Sequence, residues 1–169
     1  MKALKIKNIT FTALSLALIF VSLTLFRGAT NIVNSLTVPV IIYINIREYG
    51  IRNFVILVIS VLVISILFFF QQLAFIFTYA LIALILNLIA KNDYSFFKSS
   101  IMISSITTVF FLLGVNLTDL IFGTAITNLY SSILGGRIYA VILIFAVQGA
   151  VIGNLLQIIV KSIEKRINY

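Results

Sequence analysis

The side chains that could bind another molecule are mostly amides, joined by two arginines. We predict one substrate-binding set from them: Arg27, Asn31, Asn34, Gln71, Gln72, Asn116, Asn128, Arg137 and Gln148. Amides supply both hydrogen-bond donors and acceptors, so such a set suits a neutral or zwitterionic small molecule. The alternative is that each is a solvated loop residue, because loops carry such side chains by default.

No catalytic set accompanies these amides. The chain has no cysteine and no histidine, which excludes thiol catalysis, disulfides, haem ligation by histidine and the usual zinc sites. It also has no paired carboxylates and no glycine-rich phosphate loop ending in Gly-Lys-Ser/Thr. We therefore predict a protein that is not an enzyme and holds neither metal nor cofactor. If it transports a substrate, another protein must supply the energy.

The elements that must position these side chains are long apolar helices. The chain is 62% hydrophobic and 9% charged, whereas a soluble domain carries about 25% charged residues. Residues 9–26 form an uncharged run without proline or glycine, which at about 1.5 Å per residue just crosses a bilayer core of about 30 Å. We predict an integral, multi-pass protein of a bacterial-type plasma membrane, with residues 1–169 as a single transmembrane domain.

Five further spans follow, so the predicted fold class is all-α with six transmembrane helices. The second span begins near Ile32 or Leu36 and ends at Ile46, and Pro39 either opens it or kinks it. Residues 54–90 are uncharged and too long for one crossing, so we place a turn at Gln71-Gln72 between spans 54–70 and 73–90. The last two spans are 99–118 and 138–160.

Counting basic residues orients this bundle. Six spans put both termini on one side, and that side collects ten of the twelve lysines and arginines. A single helix over 54–90 would move Lys91 and Lys98 to the other side and weaken the asymmetry. The positive-inside rule then places both termini in the cytoplasm. The net charge of +8 is explained by orientation in the bilayer, and nothing in the chain resembles a nucleic-acid module.

The outer side keeps only Arg27 and Arg137, which run against the orientation rule. Either could contact a ligand, and either could instead pair with Asp119 as a structural ion pair.

The last span carries three amides, Gln148, Asn154 and Gln157, within or near the membrane. Polar groups at that depth usually face the protein interior and bond a neighbouring helix. Gln148 lies nearer the outer half and is the better ligand candidate. Gly149 and Gly153 form a small-xxx-small pair, which indicates close helix contact.

The first span has a face without bulky side chains. Ala13 and Ala17, together with Thr10 and Thr24, repeat at helical spacing and so share one side of the helix. Small residues let membrane helices approach closely. The face therefore packs either against a helix of this protein or against a second membrane protein.

In these features the chain resembles the substrate-binding S component of energy-coupling factor (ECF) vitamin transporters. That family combines small, basic, six-span proteins with an AxxxA docking motif, similar here to Ala13-Leu-Ser-Leu-Ala17. The passage from Val38-Pro39 to Tyr49-Gly50 is also similar. The resemblance implies a vitamin-like molecule bound near the outer face. As partners it implies a membrane coupling subunit, docked through Ala13 and Ala17, and two ATPase subunits.

A second family is also similar, namely the rod-shape-determining membrane proteins that assemble the cell-wall elongation machinery. They are small six-span proteins with a comparable proline-containing second span, and they bind protein partners. An acidic residue is expected near the end of their third span, where this chain has Gln71-Gln72.

Overall fold

The computed structural model describes residues 2–26, 32–92, 94–123 and 125–167, and within these ranges the chain is helical with no strand. The helices are α1 (Lys2–Leu25), α2 (Ile32–Phe68), α3 (Leu73–Lys91), α4 (Phe96–Phe122), α5 (Ile126–Ile133) and α6 (Ile138–Ile167), with one 3-10 turn at Phe70–Gln72. The predicted all-α class is confirmed.

Helix α2 is two helices joined at a bend. Gly50 has φ 79° and ψ 177°, a conformation outside the helical region that is essentially reserved for glycine. Residues 32–49 and 51–68, the first and second halves of α2, would each be about 27 Å long. Pro39 lies inside the first half, so the helix begins no later than Ile32 and the chain is interrupted at Gly50 instead.

Contacts with α1 show that the two halves run in opposite directions. The Ser22 hydroxyl, near the end of α1, donates to Asn34 Oδ1 at 2.7 Å, so the first half starts there. The ring of Phe11, near the beginning of α1, lies 4.6 Å from the ring of Tyr49, so the first half ends there. The second half returns, because Phe68 contacts Phe20 with ring centroids 5.9 Å apart.

Following the remaining helices defines two ends of the bundle. The basic pole holds the Gly50 bend, the α3–α4 connection and the end of α6, with the basic residues Arg47, Arg52, Lys91, Lys98, Lys161, Lys165 and Arg166. The amide pole holds the start of α2, the 3-10 turn and residues 119–123 and 125–137. Phe70 and Phe122 meet there with ring centroids 4.9 Å apart.

The core is centred on α3. Its side chains Phe75, Ile76, Tyr79, Ile82 and Leu86 are almost fully buried. Helix α3 lies between α2 and α4, and this central position explains why an uninterrupted apolar sequence suits it.

Helices α4 and α6 pack closely where two glycines bring their backbones together. A Cβ atom built on Gly153 would stand 2.7 Å from the Ser104 Cα, and one on Gly149 would stand 2.8 Å from the Thr108 Cα. The Asn154 side chain accepts a short hydrogen bond from Ser100 across the same contact. The predicted close contact at Gly149 and Gly153 is confirmed.

Five helices of the described chain are long and apolar enough to cross a membrane, one of them being the bent α2. The break at the glutamines is confirmed, since the backbone leaves the helical region at Phe69 and resumes in α3. Two expectations need correction. Helix α4 runs beyond the predicted 99–118, and the connection after it contains the short helix α5.

The outer surface is apolar around the bundle. Large side chains such as Leu67, Leu120 and Leu143 are 65% to 81% exposed. A soluble monomer rarely exposes contiguous apolar patches of this extent. The surface is the one that a membrane-embedded protein presents to lipid.

Candidate functional site

The small-residue face of α1 is on the outside of the bundle. Ala13 and Ala17 are both exposed, and their neighbour Val21 is 49% exposed. These three residues form the smooth face of α1. Of the two alternatives drawn from the sequence, packing of Ala13 and Ala17 against a helix of this protein is therefore wrong.

The opposite side of α1 faces the bundle and is lined by small hydroxyl-bearing residues. Thr12, Ser15 and Ser22 are 9%, 3% and 7% exposed. The Ser22 hydroxyl lies within 2.8 Å of Thr37 Oγ1 as well as bonding Asn34. Hydrogen bonds of this kind between membrane helices contribute about 0.6 to 2 kcal/mol each. They fix the rotation of α1 and thereby turn the smooth face outward.

The predicted ligand set begins at the amide pole, where Arg27 and Asn31 lie outside the described residues. Asn34 is 1% exposed. Its oxygen accepts from Ser22 and its nitrogen donates to the Phe26 carbonyl at 2.6 Å. The amide of Asn34 thus joins α1 to α2.

The glutamine pair stands on the 3-10 turn with contrasting surroundings. Gln71 is exposed, whereas Gln72 is 8% exposed. The turn carries one glutamine toward the surface and the next toward the bundle because successive residues of a 3-10 helix are rotated by about 120°.

Asn116, Asn128 and Arg137 are exposed around the same pole. The Asn116 amide donates to the Leu112 carbonyl of its own helix at 2.7 Å. No hydrogen bond joins two members of the predicted set among the residues that the structure describes.

Gln148 lies on the side of the bundle in a groove of about 410 Å³ between α6 and the start of α2. It is half-buried and is surrounded by apolar side chains such as Ile32, Val147 and Ile152. The groove could accommodate an apolar group with Gln148 as its polar contact.

Asp119 serves as a helix cap, a role that the sequence analysis did not anticipate. Its carboxylate accepts from the Ile126 and Thr127 amides, both at 2.9 Å, and from the Thr127 hydroxyl at 2.6 Å. A carboxylate at the start of a helix accepts hydrogen bonds from backbone amides that have no partner in the helix, and its negative charge interacts favourably with the positive end of the helix dipole. An acid followed seven residues later by a short amphipathic run was the available signal.

The basic pole contains a polar cluster that sequence reasoning missed. Arg47 donates to Glu164 through Nε at 2.8 Å and through Nη2 at 2.9 Å. The Tyr43 hydroxyl donates to the same carboxylate. The bidentate geometry is the strongest form of this ion pair. The pair joins the first half of α2 to α6, although the two residues are more than a hundred positions apart in the sequence.

The described residues contain no group of three His, Cys, Asp or Glu placed to hold a metal ion. Comparisons with models of known protein families, with curated proteins and with solved structures find no match to this chain. The fold and site together describe an all-helical bundle of membrane type with a smooth lateral face and two chemically distinct poles.

Proposed function

We propose that the chain is the substrate-binding S component of an ECF-type importer, which takes up a vitamin or vitamin-like molecule from the amide pole. The observation that carries the proposal is the exposure of Ala13 and Ala17 on α1. A smooth, exposed strip on a lipid-facing helix allows a second membrane helix to approach closely. The expected partners are a membrane coupling subunit and two ATPase subunits.

The proposed topology has six crossings, with both halves of α2 spanning the bilayer and the basic pole in the cytoplasm. The fold-back at Gly50 and the separation of basic residues at one pole support it. Because the native chain has no cysteine, single cysteines can test it. A membrane-impermeant maleimide should label Ser132→Cys in intact cells, and Asn92→Cys and Ser162→Cys only after lysis. Labelling of Asn92→Cys from outside in cells that protect Ser162→Cys would exclude six crossings.

The docking role is tested with paired tryptophan substitutions. Ala13→Trp/Ala17→Trp should abolish co-purification with the coupling subunit, because two indoles prevent helix approach. Leu14→Trp/Leu18→Trp is the matched control, since these residues are 55% and 50% exposed on the adjoining face of the same helix. Both variants should melt like the native protein. Equal partner capture by the two variants would refute docking through the smooth face.

The substrate is tested by thermal unfolding of the purified protein with a panel of vitamins. A ligand that binds only the folded state raises the melting temperature. At a concentration a hundredfold above Kd it adds about 2.7 kcal/mol to the free energy of unfolding. Mass spectrometry of co-purified small molecules identifies candidates for the panel. The Gln72→Leu variant should lose the shift if the amide pole binds the ligand.

A structural subunit of the cell-wall elongation machinery is the second candidate. It is favoured by the use of the Asn34 amide inside the protein, because that amide then stabilises the bundle and is not free for a ligand. Such a subunit would also dock partners through α1. Absence of any vitamin-induced shift, together with co-purification of cell-wall synthesis proteins, would favour it.

A further inference from the structure

A cavity of about 420 Å³ lies at the basic pole, between the first half of α2, α3, α4 and α6. It is partly open, and its walls differ in character. One wall is apolar and includes Leu86, Ile89 and Ile103, while the other includes Lys161 and Lys165. The cavity therefore suits a molecule with a charged end and an apolar end.

The charges on the polar wall favour an anion. The carboxylate of Glu164 is paired with Arg47, and this is the one ion pair formed between residues that the structure describes. Lys161 and Lys165, both exposed, have no carboxylate within ion-pair distance among the described residues. Two cations next to a neutralised pair leave the wall with an excess positive charge.

A residue of the cavity lining, Gln157, carries a hydrogen-bond acceptor without a partner. Gln157 is 2% exposed, and its Oε1 has no hydrogen-bond partner. Its amide orientation is fixed, because Nε2 donates to the Phe96 carbonyl at 2.7 Å and a flipped amide would place two oxygens together. A buried acceptor left unpaired costs about 1–3 kcal/mol, so a donor that reached Oε1 from the cavity would be stabilised there.

We propose that this cavity binds the headgroup of an anionic phospholipid that carries a free hydroxyl, as phosphatidylglycerol does. The phosphate lies against Lys161 and Lys165, the hydroxyl donates to Gln157 Oε1, and the acyl chains follow the apolar wall. Basic pockets between helices at the cytoplasmic surface suit such headgroups. The inference is separate from the proposed function, because α1 contributes no residue to the cavity lining.

The anion requirement is tested by titrating the purified protein in detergent with phosphatidylglycerol or phosphatidylcholine and following thermal unfolding. Phosphatidylglycerol should stabilise it more. Lys161→Gln/Lys165→Gln should bind phosphatidylglycerol more weakly by about 5-fold per lysine, on the order of 30-fold for both. Arg52→Gln/Lys91→Gln removes the same charge from exposed positions of the same pole outside the cavity, and should bind within about 3-fold of the native protein.

The role of the headgroup hydroxyl is tested with a lipid that lacks it. Phosphatidylmethanol has the same charge but no hydroxyl, so the native protein should bind it about 5-fold more weakly than phosphatidylglycerol. The ratio should approach one in Gln157→Leu, and this ratio is independent of any loss of stability.

Three results would overturn the proposal. Equal stabilisation by phosphatidylcholine would exclude an anion site, and equal losses in the two charge variants would exclude this cavity. Binding of free glycerol 1-phosphate as tight as that of the lipid would assign the cavity to a soluble phosphate ester.

Discussion

Replacing Gly149 and Gly153 by alanine should separate α4 from α6. The new methyl group on residue 153 would stand 2.7 Å from the Ser104 Cα, and on residue 149 it would stand 2.1 Å from the Thr108 Oγ1. Ordinary contact begins at about 3.4 Å, so the helices must move apart by about 0.7 Å at Gly153. The obstructing atoms at both sites include backbone, which cannot turn aside as a side chain can.

Overpacking of this kind typically costs about 1–3 kcal/mol per site. Alanine recovers part of it, because glycine inside a helix is less favourable than alanine by about 0.5–1 kcal/mol. The net loss expected is therefore about 1–2 kcal/mol for each variant. Because the two contacts lie one helical turn apart and one movement relieves both, the double variant should cost less than the sum of the two.

Gly114→Ala is the matched control. A methyl group there would meet the Phe75 ring at 3.2 Å, and a side chain can adjust, so its cost and the gain in helix propensity should nearly cancel. The measurement is thermal unfolding of the purified variants in one detergent. If Gly153→Ala were as stable as Gly114→Ala, close backbone contact between α4 and α6 would be refuted.

Substitutions at three further places each test a single feature of the fold. Gly50→Ala should cost about 1–3 kcal/mol in unfolding free energy, because only backbone strain opposes the methyl group, and the same thermal assay measures it; no loss would refute the bend. Asp119→Ala should cost about 1 kcal/mol and speed proteolysis within 123–137, whereas Asp119→Asn, which keeps one of the two accepting oxygens, should be cleaved at an intermediate rate; equal cleavage of both would contradict capping. A double-mutant cycle with Arg47→Gln and Glu164→Gln should give a favourable coupling of about 1–3 kcal/mol, and zero coupling would contradict the ion pair.

Helix positions follow from the sequence because lipid imposes a length on each apolar run. Residues 54–90 exceed one crossing, and the glutamines mark the break that the structure has at Phe69–Gln72. Pro39 was ambiguous, since proline can open a helix or lie within one. In the structure Pro39 lies within the helix, and the turn comes at Gly50. Glycine can make this turn because it adopts a conformation that is essentially closed to other residues.

Long-range partners could not be predicted in the same way. Arg47 and Glu164 are separated by most of the chain, and no local pattern pairs them. Rotation of α1 was equally open, because its alanine face and its hydroxyl face both carry small residues of the kind that membrane helices use for packing. The structure selects the hydroxyl face for the interior, where Ser22 finds Asn34 and Thr37.

The first half of α2 connects the two surfaces to which we assign binding. Arg47 lines the cavity at the basic pole, while Tyr49 contacts the ring of Phe11 on α1. A lipid that displaced the Arg47 side chain would either break the ion pair with Glu164 or move the last turn of the first half of α2. Only a movement of that turn would be transmitted to α1. Because the ion pair is bidentate and Tyr43 donates a third hydrogen bond to Glu164, this turn of α2 is fixed to α6. Lipid at the basic pole should therefore stabilise the bundle without altering how α1 meets a partner.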